Sequence, residues 1–203
     1  MNDKELPQTE KKYSAEEYQM MERRSATKSE FFDGKILPGA ASNRANNLIA
    51  TNTTIAVGSR LQAQKCEIYV NDMRVKLSAK HFSYPDIVIV SGVPSFTDNT
   101  FDTLVNPTVA FEIYSKNTSF QDKTKKLECY LAMNSIREYL LIKEDEMRVE
   151  HYAKQNAKQW IYRIYDSRED VIAIDSVNVK VSVAEIYAQI KFTQPEVKSQ
   201  AVN

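Results

Sequence analysis

Residues 109–118 read VAFEIYSKNT, and one carboxylate inside this run decides how the chain is organised. Val109, Ala110, Phe111, Ile113 and Tyr114 form a short apolar, β-prone segment of the kind that becomes a buried strand, yet Glu112 interrupts it. A buried, unpaired charge is costly, so such a group faces solvent, meets a cation or binds a metal. Upstream, YPDIVIVSG at 84–92 is a second apolar run, too continuous to keep a wet face, and Asp86 stands at its head. On two-residue alternation Asp86 shares its face with Val88 and Val90, and Glu112 shares its face with Ala110 and Tyr114. If the two runs are neighbouring strands with both carboxylates on one face, the pair repels itself unless a cation lies between them. Oxygen ligands of this type suit Mg²⁺ or Mn²⁺.

A helix predicted over 119–133 supplies a third element. Phe120, Leu127 and Leu131 form its apolar stripe, and Asp122, Lys126 and Tyr130 recur at four-residue spacing beside it, where they can look toward the sheet edge. A lysine beside two metal-binding carboxylates matches what phosphodiester hydrolysis asks for: polarisation of the phosphate, and an ammonium to offset charge developing on it. Pattern alone leaves a blander reading open. Glu112 fits equally well as an edge-strand glutamate paired with Lys or Arg, and Asp86 by itself reads as a residue after Pro85 that accepts a backbone N–H.

Around these segments the chain alternates helical and extended patterns. Ser14-Ala-Glu-Glu has capping-box spacing and predicts a helix over 14–25, Asp33-Gly34 predicts a hairpin turn, and 43–64 predicts a long helix. Strands are expected at 67–72, 73–79, 84–92 and 109–115, then a meander at 137–145, 147–154 and 159–166, a hairpin-like pair at 171–183 and a closing helix at 184–192. Residues 1–12 and 193–203 are polar and read as disordered tails, leaving one domain at 13–192. The order predicts an α/β (mixed α+β) domain whose mixed β-sheet is flanked by helices, with extra β-hairpins toward the C-terminus.

Composition excludes several classes. Lys plus Arg and Asp plus Glu balance at 27 each, so any basic surface is a local patch; Arg74, Lys76, Lys123 and Lys125 are the candidate nucleic-acid contacts, although Lys123 and Lys125 read most simply as a solvated helix face. Four glycines, none in nucleotide-binding spacing, give no support to a dinucleotide or P-loop site. Two distant cysteines argue against a disulfide framework or structural zinc. No apolar run reaches membrane-spanning length and the N-terminus has no signal-peptide core, so a soluble cytoplasmic protein that does not engage membranes is expected. His81 and His151 lack partners at ligand spacing and read as surface histidines, while Trp160 reads as core.

YPDIVIV, FEIYSKNT and DKTKKLECY, together with YSAEEY at 13–18, EFFDGKI at 30–36, REYLLI at 137–142 and the AEIY of 184–187, resemble the Uma-two family of bacterial putative restriction endonucleases, within the PD-(D/E)XK, or restriction-endonuclease-like, superfamily. The resemblance runs from about residue 13 to residue 192. It implies a restriction-endonuclease-like core, Asp86 and Glu112 as divalent-metal ligands, and Glu30 as an acidic residue completing the site. The superfamily pattern has a lysine two residues after the glutamate, where this chain has Tyr114; the family generally shares that departure, and Lys126 matches the helix lysine thought to reach in instead. Many relatives carry a histidine where this chain has Asn46, and Asp72 matches a recurring acid that a turn-capping role also explains. The implied function is a Mg²⁺-dependent endonuclease acting on DNA, with a homodimer plausible by resemblance. The alternatives are a catalytically inactive nuclease-fold protein that binds nucleic acid or a partner protein, and a structural domain whose carboxylates are salt-bridged.

Overall fold

The computed structural model describes residues 11–39, 42–61, 65–115 and 120–192, without the side chains of residues 120–122. The expected tails therefore lie outside the described residues, apart from residues 11 and 12, as does the side chain of Asp122.

Helix α1 (Ala15–Glu22) starts as its sequence dictates: Ser14 Oγ accepts the Glu17 N–H at 3.1 Å and the Glu17 carboxylate accepts the Ser14 N–H at 2.7 Å. It stops three residues before the expected end because the Glu22 carboxylate takes the Ser29 N–H at 2.9 Å and draws the chain into the next strand. Strands β1 (Ser29–Phe32) and β2 (Lys35–Pro38) make the predicted hairpin, with Asp33 at φ 49° and Gly34 at φ 88°, both left-handed as a two-residue hairpin turn requires. Helix α2 (Arg44–Leu61) buries Ile49, Thr53, Ala56 and Val57 along one face. Strands β3 (Cys66–Val70), β4 (Arg74–Ser78), β5 (His81–Ser83), β6 (Ile87–Ser91), β7 (Thr103–Leu104) and β8 (Val109–Tyr114) follow, then α3 (Phe120–Ala132), β9 (Glu138–Lys143), β10 (Val149–Asn156), β11 (Gln159–Tyr165), β12 (Val171–Ile174), β13 (Val179–Ser182) and α4 (Val183–Ile186).

Two sheets carry the fold. The larger is mixed, in the order β11-β10-β9-β8-β6-β3, antiparallel except for the parallel pair β8–β9, which α3 connects as a crossover. The smaller runs β2-β1-β5-β4-β7, and β12–β13 form a separate ribbon, so of the expected C-terminal hairpins one extends the large sheet and the other stands apart. The alternation predicted for the two central strands holds. Ile87, Ile89, Val109 and Phe111 pack with α2, the β12–β13 ribbon and α4 on one face. Val88, Val90, Ala110 and Tyr114 face α3 and the smaller sheet on the other. Asp86 and Glu112 belong to that second face.

Two expectations are corrected. The closing helix is only α4: the Asn52 side-chain amide donates to the carbonyls of Ile186 (3.2 Å) and Ala188 (2.8 Å), and Gln189 turns to φ 63°, so helical bonding does not continue. His151 is fully buried rather than on the surface, because it lies at the core end of β10 and pairs with the equally buried Glu138 at 2.6 Å.

Candidate active site

The register of β6 on β8 pairs Ile87 with Phe111 and Val88 with Ala110; continued by one step, it sets Asp86 opposite Glu112. Asp86 is anchored by the chain it faces: its Oδ2 accepts the Ile113 N–H at 2.6 Å. The blander expectation for Asp86 thus holds as a fact about its geometry, and the backbone bond also fixes it beside Glu112. From the smaller sheet, β1 contributes Glu30, whose Oε1 accepts the Ser83 hydroxyl at 2.7 Å and the Tyr84 N–H at 3.3 Å. From α3, Lys126 Nζ reaches both acids, 2.7 Å from Glu30 Oε1 and 3.3 Å from Glu112 Oε2. One turn later, Tyr130 donates its hydroxyl to Glu112 Oε1 at 3.2 Å. Four sequence-separated candidates, Asp86, Glu112, Lys126 and Glu30, thus converge where the two sheets and α3 meet.

The electrostatics follow from enclosure and count. Burial pushes the Glu112 carboxyl above its ordinary value, Lys126 opposes this, and the neighbouring Glu30 and Asp86 add to it. Burial raises Asp86 as well, against the pull of the Ile113 amide, Lys126 and the Asn46 side chain. For Lys126 burial alone would favour the neutral amine, but Glu112 and Glu30 outweigh it and hold the ammonium charged. Three carboxylates therefore share one fixed positive charge. The remaining negative charge, enclosed in low dielectric, is the site's principal electrostatic feature.

The cluster forms the floor of a cleft of about 820 Å³ whose walls include Asn43, Asn46, Asn71, Tyr114 and Tyr139. Lys28, Lys35, Lys123 and Lys125 also line it, giving a basic rim over an acidic floor. Lys28 bonds the Asn71 carbonyl at 2.9 Å and pairs with the exposed Asp72 at 3.1 Å. Lys125 is exposed and loosely paired with Asp33 at 3.6 Å. Lys123 is more committed than expected: it donates to Glu150 at 2.9 Å and lies 4.2 Å over the Tyr114 ring. Arg74 is not at the surface at all. It is 2% exposed and spends its guanidinium on Thr103 Oγ1 at 2.9 Å and Asp102 at 3.0 Å, because an interior arginine must be paired. Lys76 lies half-buried over Phe82, outside the cleft lining.

Whether the floor fits a divalent ion is a question of donors. Among the described residues no group of three or more His, Cys, Asp and Glu side chains is spaced as a metal cage. Two adjacent carboxylates on the floor of an open cleft nevertheless fit Mg²⁺, which keeps several waters and is commonly held by one or two protein carboxylates together with substrate phosphate oxygens. Asp86 and Glu112 would hold it.

Sequence reasoning missed two side chains here. Tyr139, from β9, lines the cleft with its hydroxyl buried and without a hydrogen-bond partner among the described residues, and its ring stacks on Tyr130 at 4.5 Å between centroids. Lys28 sits in a polar stretch with no periodic signal, and only the fold brings it to the rim.

The Uma2 family profile, described as putative restriction endonuclease, matches residues 15–184. The uncharacterized protein sll1609 of Synechocystis sp. (strain ATCC 27184 / PCC 6803 / Kazusa) is 33% identical over 154 residues, spanning 75% of this chain and 87% of that protein. The uncharacterized protein slr1290 of the same strain is 24% identical over 182 residues, spanning 89% and 94% respectively. The crystal structure of a putative nuclease belonging to DUF820 from Anabaena variabilis ATCC 29413 superposes with a TM-score of 0.70 at 18% identity, covering 86% of this chain and 97% of that one. That likeness shows a shared fold.

Proposed function

The chain belongs to the Uma2 family of putative restriction endonucleases, and from that premise we propose that it is a divalent-metal-dependent endonuclease hydrolysing DNA phosphodiester bonds in the cleft. The observation that carries this reading is the excess of negative charge at the cleft floor: Asp86, Glu112 and Glu30 around the single ammonium of Lys126. Without a metal the raised Glu112 carboxyl relieves this excess only by holding a proton, whereas a site that takes up Mg²⁺ or Mn²⁺ relieves it with the carboxylates ionised.

Bound by Asp86 and Glu112, such an ion would supply a Lewis acid for the phosphate and acidify a water. The chain's own residues do the rest. Asp86 is held still by the Ile113 amide and Glu112 by Tyr130, so the ligand oxygens are preorganised. Lys126 is kept charged by its acidic neighbours and can move between Glu112 and an incoming phosphate to offset charge developing there. Glu30, fixed by Ser83 and Tyr84, keeps Lys126 aimed at the floor. At the rim Lys28, Lys35 and Lys125 suit backbone phosphates, so binding should weaken steeply with salt.

The test is plasmid cleavage with Mg²⁺ or Mn²⁺, with wild type beside Asp86→Ala and Glu112→Gln. Nicking by wild type that both variants lose supports the reading; cleavage that survives in both overturns it. A second reading, a nuclease fold that binds nucleic acid without cutting it, is favoured by Asn46, which faces Asp86 with an amide that cannot act as a general base at neutral pH. It predicts Mn²⁺ uptake and DNA retention with no nicks.

A further inference from the structure

The large sheet ends on β11, and its outer edge is bare. The Lys154 N–H donates to the Arg137 carbonyl at 2.8 Å and the Lys143 N–H to the Arg148 carbonyl at 3.0 Å, so the even-numbered residues of β10 spend their backbone groups on the β9 side. Alternation turns the odd-numbered ones to β11, where Val149, His151 and Ala153 meet Tyr165, Arg163 and Ile161. Trp160, Tyr162 and Ile164 therefore point their N–H and C=O groups away from β10, along an edge that no strand covers among the described residues. The side chains of Tyr162 and Ile164 are exposed there as well, at 47% and 42%. Tyr162 is the open end of a row of rings across the sheet, with Tyr152 at 4.8 Å from it and Tyr139 at 6.5 Å from Tyr152.

Open edges are normally blunted by a proline, a bulge or an inward-pointing charge. QWIYRIY has no proline, and its charged residue, Arg163, lies on the face opposite Tyr162 and is exposed. What the edge matches is itself. Laid antiparallel against a second copy with Tyr162 opposite the partner's Tyr162, the strand sets Trp160 against the partner's Ile164, an aromatic–aliphatic cross-strand pair. The outward groups of Trp160, Tyr162 and Ile164 then all fall at hydrogen-bonding positions, which allows about six backbone bonds between the copies. Arg163 meets the partner's Ile161 and not its own counterpart. Just past the strand ends Lys158 comes to the partner's Asp166; both residues are exposed and neither side chain has an ion pair among the described residues. Sliding the register by two residues sets Lys158 opposite Ile164 or Arg168 instead, so the charges select the register centred on Tyr162.

We propose that β11 is the docking edge for a second copy of this chain, the two strands pairing antiparallel about a two-fold axis at Tyr162 so that the two large sheets join into one. The pairing needs nothing from the acidic cleft and stands whether or not the cleft cuts DNA.

Sedimentation velocity of the full chain over rising concentration tests this. Wild type should pass from monomer to dimer. Lys158→Asp or Asp166→Lys sets like charges together at both ends of the paired strands and should raise the dissociation constant about tenfold, whereas the double variant Lys158→Asp/Asp166→Lys should return it to the wild-type range. Both positions are exposed, so these variants keep the fold. Ile164→Lys, with a circular dichroism spectrum equal to wild type, should stay monomeric. Tyr162→Cys should give a covalent dimer under mild oxidant that wild type does not, because Cα atoms about 5.5 Å apart at such a pair are within disulfide reach. A wild type that is monomeric throughout overturns the proposal, as does a dimer that Ile164→Lys leaves intact, or single charge variants that weaken the dimer without rescue in the double variant.

Discussion

Lys126 Nζ stands 2.7 Å from Glu30 Oε1, which ties α3 to the smaller sheet across the floor of the cleft. The same ammonium lies 3.3 Å from Glu112 Oε2 on the larger sheet, so one side chain joins three layers of the fold. Removing it leaves three carboxylates facing one another. Lys126→Ala should therefore abolish cleavage and destabilise the metal-free protein by on the order of 3 kcal/mol. Added Mn²⁺ should restore part of that stability, because a cation of higher charge fills the same electrostatic need. Urea unfolding with and without Mn²⁺ reads this out; a variant as stable as wild type in EDTA would show that the ion pairs contribute nothing.

The raised carboxyls give the metal-free protein an unusual pH profile. Glu112 and Asp86 bind their protons more tightly folded than unfolded, so stability from this source is largest in acid. As pH rises above the ordinary Glu112 value of 4.5 the unfolded chain releases its proton first, and stability falls until the folded carboxyl ionises too. Carboxylates shifted the other way, such as Asp98, held down to about 2 by Thr100 and Arg23, lose their contribution only below this window. Urea midpoints should decline between about pH 5 and neutrality, and Glu112→Gln should flatten the slope. Mg²⁺ should reverse it, since ionised carboxylates bind the ion; a midpoint that climbs with pH in metal-free wild type would contradict the shifts.

Much of this site was legible because strands carry a strict two-residue alternation. Val88 and Val90 had to share a face with Asp86, and Ala110 and Tyr114 with Glu112; that both sets lie on one face follows from the pairing of β6 with β8, which the sequence left as a condition. Lys126 was legible from helical spacing relative to Tyr130. Arg74 was not: in MRVKLSA an arginine on an alternating strand looks like a surface cation, and only the tertiary fold brings Asp102 and Thr103 to it. His151 fails for the same reason, since its partner Glu138 lies on another strand and carries no motif. Long-range ion pairs leave no periodic trace, whereas faces and turns do.

Tyr139 offers a test with opposite signs in two neighbouring rings. Its hydroxyl is buried without a partner among the described residues, while the stacked Tyr130 hydroxyl bonds Glu112 at 3.2 Å. Tyr139→Phe should leave the metal-free protein as stable or up to about 1 kcal/mol more stable, because a desolvated polar group is removed, and Tyr130→Phe should cost about 1–2 kcal/mol. Parallel melts decide it, and equal losses in the two variants would mean that Tyr139 has a hydrogen-bond partner after all.

Asn46 distinguishes a working nuclease from one that only binds. It stands where the family resemblance leads one to expect a histidine, lines the cleft, and reaches the Asp86 carboxylate from the first turn of α2. An imidazole there, beside an acid, can accept or donate a proton at neutral pH, which an amide cannot. Asn46→His should therefore raise Mg²⁺-dependent nicking by at least about tenfold if proton transfer limits the rate, with little change in stability, because the residue sits at a cleft wall rather than in the core. The gain should vanish below the imidazole pKa and in the double variant with Asp86→Ala. If instead wild type cuts well and Asn46→His changes nothing, catalysis here runs on Asp86, Glu112 and Lys126 without a group at this position. If both proteins bind DNA and neither cuts, the histidine alone does not account for the lost activity, and the reading of a binding protein on a nuclease fold gains its strongest support.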